Sequence, residues 1–176
     1  MKRLLWMVLA FALFAVPSHA QQTPLVDVSG GYSYFHISGS GGLSLNGVSG
    51  SVAYNANDWL GLVGDIGVYH GSPAGVGVTA STYTFGPRFS YHGSDKVTPF
   101  AQALFGGSHV SASFGGFGAS SNPFAFSFGG GADVPLGGSG RFALRPEVDY
   151  FGLRSNGSTA NSVRIFVSIV FRFGER

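Results

Sequence analysis

The sequence predicts an all-β fold, an eight-stranded antiparallel transmembrane β-barrel preceded by a cleaved leader. Three observations carry that prediction. First, the 176-residue chain is 44% hydrophobic and only 10% charged, where an average soluble domain carries about 25% charged residues. Second, no apolar run in the body of the chain reaches the roughly 18 residues that a membrane helix needs. Third, apolar and polar residues alternate with a period of two, the period at which strand side chains switch faces. A greasy chain with no helical span satisfies its backbone inside a bilayer by closing a barrel, where every N–H and C=O pairs between strands. The 29 glycines and 17 phenylalanines suit a strongly curved sheet with an aromatic exterior.

The first residues predict a secretory signal. Lys2 and Arg3 supply the positive start, Leu4 to Val16 the apolar stretch, and Pro17 its end. Ser18-His19-Ala20 puts small residues at the offsets for cleavage after Ala20. The apolar stretch is too short to span a bilayer as a helix. The expected organisation is a signal peptide at 1–20 and one barrel domain at 21–176. The chain has no cysteine, which excludes a lipid-anchored lipoprotein and a disulfide framework. Without Lys2 and Arg3, eight basic residues balance eight acidic ones. No Lys/Arg cluster remains, and nucleic acid is not an expected partner.

The clearest strand runs over 141–151. Arg141, Ala143, Arg145, Glu147 and Asp149 share one face, and Phe142, Leu144, Pro146, Val148 and Tyr150 the other. A helix would mix the two sets. The last strand, 163–173, repeats the pattern: Val163, Ile165, Val167, Ile169, Phe171 and Phe173 oppose Arg164, Phe166, Ser168, Val170 and Arg172. Further strands are expected at 27–36, 43–55, 59–69, 80–92, 97–114 and 124–136. Leu60, Leu62, Ile66 and Val68 should face lipid opposite Asp65. Tyr83, Phe85, Phe89 and Tyr91 should oppose Thr82, Thr84 and Arg88, and Phe124, Phe126, Phe128 and Val134 should oppose Ser127 and Asp133. Tight polar turns at 55–58, 93–96 and 137–140 alternate with longer Gly/Ser loops near 38–42, 71–79, 115–122 and 155–161. Short periplasmic turns and longer outer loops give this rhythm, and seven connections make eight strands.

The same parity turns Asp27, Asp65, Asp133, Glu147 and Asp149 inward, together with Arg88, Arg141, Arg145, Arg164 and Arg172. Eight strands leave an interior that side chains just fill, and buried charges have to pair. The expectation is a salt-bridged structural plug, with a narrow ion path as the alternative. Trp59, Tyr69, Tyr91 and Tyr150 are expected outside, in the belts where membrane meets water.

Several stretches also resemble a known family. These are Ala53-Tyr54-Asn55-Ala56-Asn57-Asp58-Trp59-Leu60-Gly61-Leu62, Pro99-Phe100-Ala101-Gln102-Ala103-Leu104-Phe105-Gly106, Phe128-Gly129-Gly130-Gly131-Ala132-Asp133, Arg141-Phe142-Ala143-Leu144-Arg145 and Phe171-Arg172-Phe173. They resemble the outer-membrane β-barrel domain family, the OmpA-, OmpX- and opacity-like small barrels. The resemblance implies the bacterial outer membrane, reached through the periplasm. It also implies contact with outer-membrane lipid and lipopolysaccharide, and help from the barrel assembly machinery during insertion. The family includes adhesins and envelope-structural proteins, so an extracellular surface or protein ligand is a further implied partner. Such proteins commonly end on an aromatic, whereas Phe173 is followed here by Gly174-Glu175-Arg176. No C-terminal peptidoglycan-binding domain is expected.

For chemistry, no metal spacing, phosphate loop or nucleophile elbow stands out, and no cofactor or catalytic residue is expected. Gly129-Gly130-Gly131 lies inside a strand, where it permits bending or close backbone approach. His36, His70, His92 and His109 fall at strand ends. Asn156-Gly157-Ser158 reads as a loop tip. His109 and Ser111 share a face and resemble the pair of barrel lipid A deacylases, but the sequence offers no clear carboxylate to orient the base and lacks the asparagine and glycine context of those enzymes. Three readings result: a non-enzymatic outer-membrane protein acting through its outer loops, a narrow pore for ions or small solutes, and a lipid A-modifying hydrolase.

Overall fold

The computed structural model describes residues 23–38, 42–94, 96–115, 117–138, 140–155 and 157–175. The expected signal peptide and its cleavage after Ala20 lie outside the described residues, as do the tips of some connections. The strands in chain order are β1 (Pro24–Ile37), β2 (Leu43–Asn55), β3 (Leu60–Gly71), β4 (Gly77–Ser90), β5 (Thr98–Phe114), β6 (Phe117–Ser121), β7 (Phe124–Leu136), β8 (Phe142–Ser155) and β9 (Ser158–Glu175). A single turn of 3-10 helix, Pro73–Gly75, joins β3 to β4.

Every neighbouring pair is antiparallel, and β1 pairs with β9 to close the sheet into a ring. The stagger follows from the register. Leu60 opposes Phe89, and the circuit continues through Ala101, Gly130, Val148, Ile165, Tyr34 and Asn46. It returns to β3 at His70, ten residues along the strand from its start. That displacement tilts the strands steeply against the barrel axis, as closure requires.

The wall has eight strands because β6 and β7 act as one. β5 pairs with β6 from Phe114↔Phe117 to Val110↔Ser121, and with β7 from Gly107↔Phe124 onward, all in one register. Pro123, without an N–H, interrupts the strand between them. The stretch 115–122, expected as a loop from its Gly and Ser content, is therefore a hairpin. The neighbouring β8 pairs no further than Arg154, opposite Phe124, so β6 rises past the wall and all five of its residues are exposed.

The connection at 38–42 has the expected length, whereas those expected at 71–79 and 155–161 are shorter. Gly71 belongs to β3 and residues 77–79 to β4. Ser155 pairs directly with Ser158, bracketing a two-residue turn. Gly115 and Gly157 sit at the two tightest hairpins with left-handed backbone, φ 55° and 80°, a conformation that glycine adopts without steric cost. Both described chain ends lie at the opposite end, beside the polar turns after β2, β4 and β7. The β5–β6 hairpin is the excursion that rises beyond the wall, so its end is taken as outer and the end with the polar turns as periplasmic.

The period-two pattern sorts the side chains as the strands require. Leu62, Ile66, Tyr83, Phe85, Val148 and Ile165 are exposed on the outer wall, where lipid rather than water meets them. Tyr69 departs from the expected belt. It has the parity of Asp65, is fully buried, and donates to or accepts from Ser49 Oγ at 3.0 Å. Gly67 makes this possible, since a Cβ there would sit 2.3 Å from the Tyr69 hydroxyl.

Candidate functional site

Two regions concentrate polar chemistry: the lumen and the outer rim. The lumen is built in layers by inward residues of all eight wall strands. Its outermost layer is apolar. Phe35, Leu45, Tyr69, Val78, Phe151 and Leu153 are buried together, with Ile37, Leu43 and Val110 packed against them. The Phe35 ring lies 4.8 Å from Tyr69 and 5.3 Å, edge-on, from Phe151. Sequence reasoning missed this cap. At the outer strand ends the alternation is inverted, with apolar Phe35 and Leu45 inside and polar His36 and Ser44 outside, so the rule that polar residues mark the lumen fails there.

Beneath the cap sits Arg164, 0% exposed. Its guanidinium donates from Nη1 to Asp65 Oδ1 at 2.7 Å, from Nη2 to Glu147 Oε1 at 2.8 Å and from Nε to Asp149 Oδ2 at 2.9 Å. Three carboxylates from two strands, β3 and β8, thus converge on one planar cation of β9, whose fork geometry can serve them all. The cation also faces the rings of Phe151 and Phe166, 5.0 and 5.3 Å from their centres, a contact of the cation–π kind. Gly129 leaves the room Asp149 occupies, since a Cβ there would meet Asp149 Oδ1 at 2.0 Å.

Gln102 links this cluster to the next cation. Its amide donates to Glu147 Oε1 at 2.9 Å, and its carbonyl oxygen accepts from Arg88 Nε and Nη2 at 3.0 and 2.9 Å. Phe100 then lies against both Arg88 and Arg145, 4.5 and 5.0 Å from its ring centre. Toward the periplasmic end, Arg145 grips Asp133 with both prongs, Nε to Oδ1 and Nη2 to Oδ2 at 2.5 and 2.7 Å. Arg172 adds a bond to Asp133 at 3.1 Å, and Asp27 takes one from Asn55 at 3.2 Å.

The structure therefore gathers Asp27, Asp65, Arg88, Asp133, Arg145, Glu147, Asp149, Arg164 and Arg172 along the lumen. Arg141 is the exception and corrects the expected set: it is exposed. It precedes β8, whose first residue is Phe142, so its inward parity has no lumen to point into. Without it, five lumen carboxylates face four guanidiniums rather than balancing them.

The rim is a different chemistry on the outward face. Just beyond the apolar band, cross-strand neighbours form polar pairs: Tyr34 and His36 with Ser44, His70 with Thr79, His109 with Asn122, and Tyr150 with Asn161. His109 bonds Asn122 through Nδ1 at 2.6 Å, across the hairpin from Ser111's neighbour Ser120. The opposite rim is aromatic: Trp59 stacks on Phe89 at 5.9 Å, and Phe171 contacts Phe142 and Phe173 at 4.9 and 4.4 Å. Tyr91 is exposed at that same end.

Comparison with known proteins agrees with the geometry. Among solved structures, the chain is similar to Neisserial surface protein A, with a TM-score of 0.72, 15% identity, and coverage of 84% of this chain and 97% of that one. Ail, the attachment invasion locus protein of Yersinia pestis, aligns with a TM-score of 0.58 at 15% identity over 83% and 97%. The N-terminal β-barrel domain of Pseudomonas aeruginosa OprF aligns with a TM-score of 0.53 at 16% identity over 86% and 100%. No curated protein matches. The family model described as outer membrane protein beta-barrel domain matches residues 7–173. A closed eight-stranded wall, an apolar outer surface and that match place the protein in the bacterial outer membrane, and the chain belongs to the outer membrane protein beta-barrel domain family.

Proposed function

We propose that this protein is a non-enzymatic surface scaffold, a sealed barrel that lifts a β-hairpin above the outer leaflet to meet an external surface or protein. The observation that carries this reading is the β5–β6 extension. It rises past β8, its β6 residues are all exposed, and Phe117 at its tip is 85% exposed. A large aromatic held beyond the wall at the end of a projecting hairpin suits a contact residue for a partner, since aromatics are enriched among the residues that carry binding energy. The layered lumen supports a structural plug over an ion path, because caps, ion pairs and rings fill the cross-section.

The partner's charge is also constrained. Ail has been crystallised with sucrose octasulfate, a heparin analogue. In the present chain Arg154 is the one Lys or Arg on the described outer hairpins, so a polyanion finds little to grip and the expected partner surface is uncharged or apolar. Deleting residues 117–121 and closing the hairpin should abolish adhesion of displaying cells to their target surface while the barrel keeps its heat-modifiable gel migration. Adhesion unchanged by the deletion would refute the role given to the hairpin.

Export is proposed to use the leader at 1–20. The mature protein recovered from outer membranes should begin at Gln21, as N-terminal sequencing would read directly. Recovery of a chain still beginning at Met1 would refute cleavage.

A further inference from the structure

Beside the hairpin, the outer face of the barrel carries a second feature. His70, Thr79, Ser111 and Ser120 lie directly opposite one another across β3, β4, β5 and β6. Above them Gly77, Ser113 and Gly118 form a shorter row across β4, β5 and β6. The two rows are the floor of a groove of about 360 Å³. It is lined by one imidazole, four hydroxyls, Gly77, Gly118, Ala112 and Ala119, and among these residues none is charged.

We propose that this groove holds the saccharide headgroup of an outer-leaflet glycolipid. The inference rests on the outer-membrane placement and names a partner for a face distinct from the Phe117 tip. Position is the first argument. The groove residues have the same parity as Ile66, Val68, Tyr83, Phe85 and Phe105, which are exposed on the lipid-facing wall. The groove is thus the upward continuation of the membrane interface, and whatever fills it stands among the lipid headgroups.

Chemistry is the second argument. An acyl chain would strip water from four hydroxyls and a histidine without replacing their hydrogen bonds. A phosphate would find no cation. A sugar offers both what the floor lacks and what it has, flat C–H faces to lie on glycine backbone and hydroxyls to exchange hydrogen bonds with Ser, Thr and His. His70 is oriented for this, because its Nδ1 bonds Thr79 Oγ1 at 3.1 Å and turns Nε2 away from that contact. The asymmetry of the two rims is the third argument. Hydrogen-bonding pairs ring the outer end and aromatic stacks the other, as suits a bilayer whose outer headgroups are richer in hydroxyls.

The test uses the purified full-length barrel in detergent, titrated calorimetrically with three probes: lipopolysaccharide, lipid A without its core saccharide, and the released core oligosaccharide. Two variants accompany it. Gly118→Trp fills the groove, and the backbone accepts a side chain there because an added Cβ meets only the Ala112 carbonyl, 3.9 Å away. His70→Ala removes the oriented imidazole. Lipopolysaccharide is expected to bind at least about tenfold tighter than lipid A, with the oligosaccharide alone binding weakly but measurably. Both variants should lower lipopolysaccharide binding to the lipid A level while leaving heat-modifiable migration intact. Equal binding of lipid A and lipopolysaccharide, or wild-type binding by Gly118→Trp, would overturn the proposal. A wild-type protein that failed to show heat-modifiable migration would instead strike at the membrane barrel itself.

Discussion

Arg164→Ala is expected to destabilise the barrel by about 3–5 kcal/mol, the range for removing one partner of a buried ion pair. The size follows from what remains. Asp65, Glu147 and Asp149 would stand in the lumen without their common counter-charge, and Gln102 can donate to only part of the deficit. Reversible urea unfolding in detergent or lipid vesicles, followed by tryptophan fluorescence and gel migration, measures the loss. Because the cluster is sealed from solvent, added salt should change the difference little. Arg164→Lys should recover part of it, since an ammonium keeps the charge and loses the fork. Replacing Arg164 by Met together with Asp65→Asn, Glu147→Gln and Asp149→Asn should recover more, because an uncharged cluster carries no orphaned ion. Arg141→Ala is the matched control, an exposed arginine whose removal should cost almost nothing. A variant at Arg164 as stable as the parent would refute the keystone role.

Phe151→Ala is expected to cost a similar ~3–5 kcal/mol through the cavity it opens. The ring is fully buried in the cap, meets Phe35 edge-on at 5.3 Å and covers the Arg164 guanidinium. Its loss removes apolar burial and the face that lies over the cation, so part of the effect should vanish when Arg164 is also replaced. A double-mutant cycle isolates that coupling. Planar-bilayer recordings add a second readout. The intact protein should form no stable channels, and thinning the cap with Phe35→Ala plus Phe151→Ala should be the change that first admits brief ion leakage. Stable parental channels altered by substitution of Arg145 or Glu147 would refute the plug.

How much of this was legible in the sequence depended on whether a single strand could report it. The side to which Asp65, Arg88, Asp133 and Arg145 point is a property of local parity, and parity survives errors of a residue or two at strand ends. Arg141 shows where that logic stops: parity names a face, but only the end of the wall says whether the face encloses anything. Tyr69 failed for another reason. Proximity to a strand end suggested an interfacial aromatic, while its own parity pointed inward beside Asp65. Residues 115–122 were misread because glycine and serine are turn signals, yet their pairing with β5 continues the register of β7 across Pro123. Pairings inside the lumen were not legible at all. Asp65 and Arg164 lie 99 residues apart, and they meet because of the stagger that accumulates around the ring, which no local pattern encodes.

The seam between β1 and β9 has a consequence for the order of assembly. Each hairpin can form from neighbouring sequence, but these two strands are the pair most distant along the chain, and their thirteen matched positions can join only when every hairpin between them is in place. Until then the growing sheet exposes two raw edges, and the lumen ions have no complete shell. Ring closure and charge neutralisation should consequently be one late, cooperative event, and an inserting intermediate would be open, wet inside and dependent on whatever guards its edges.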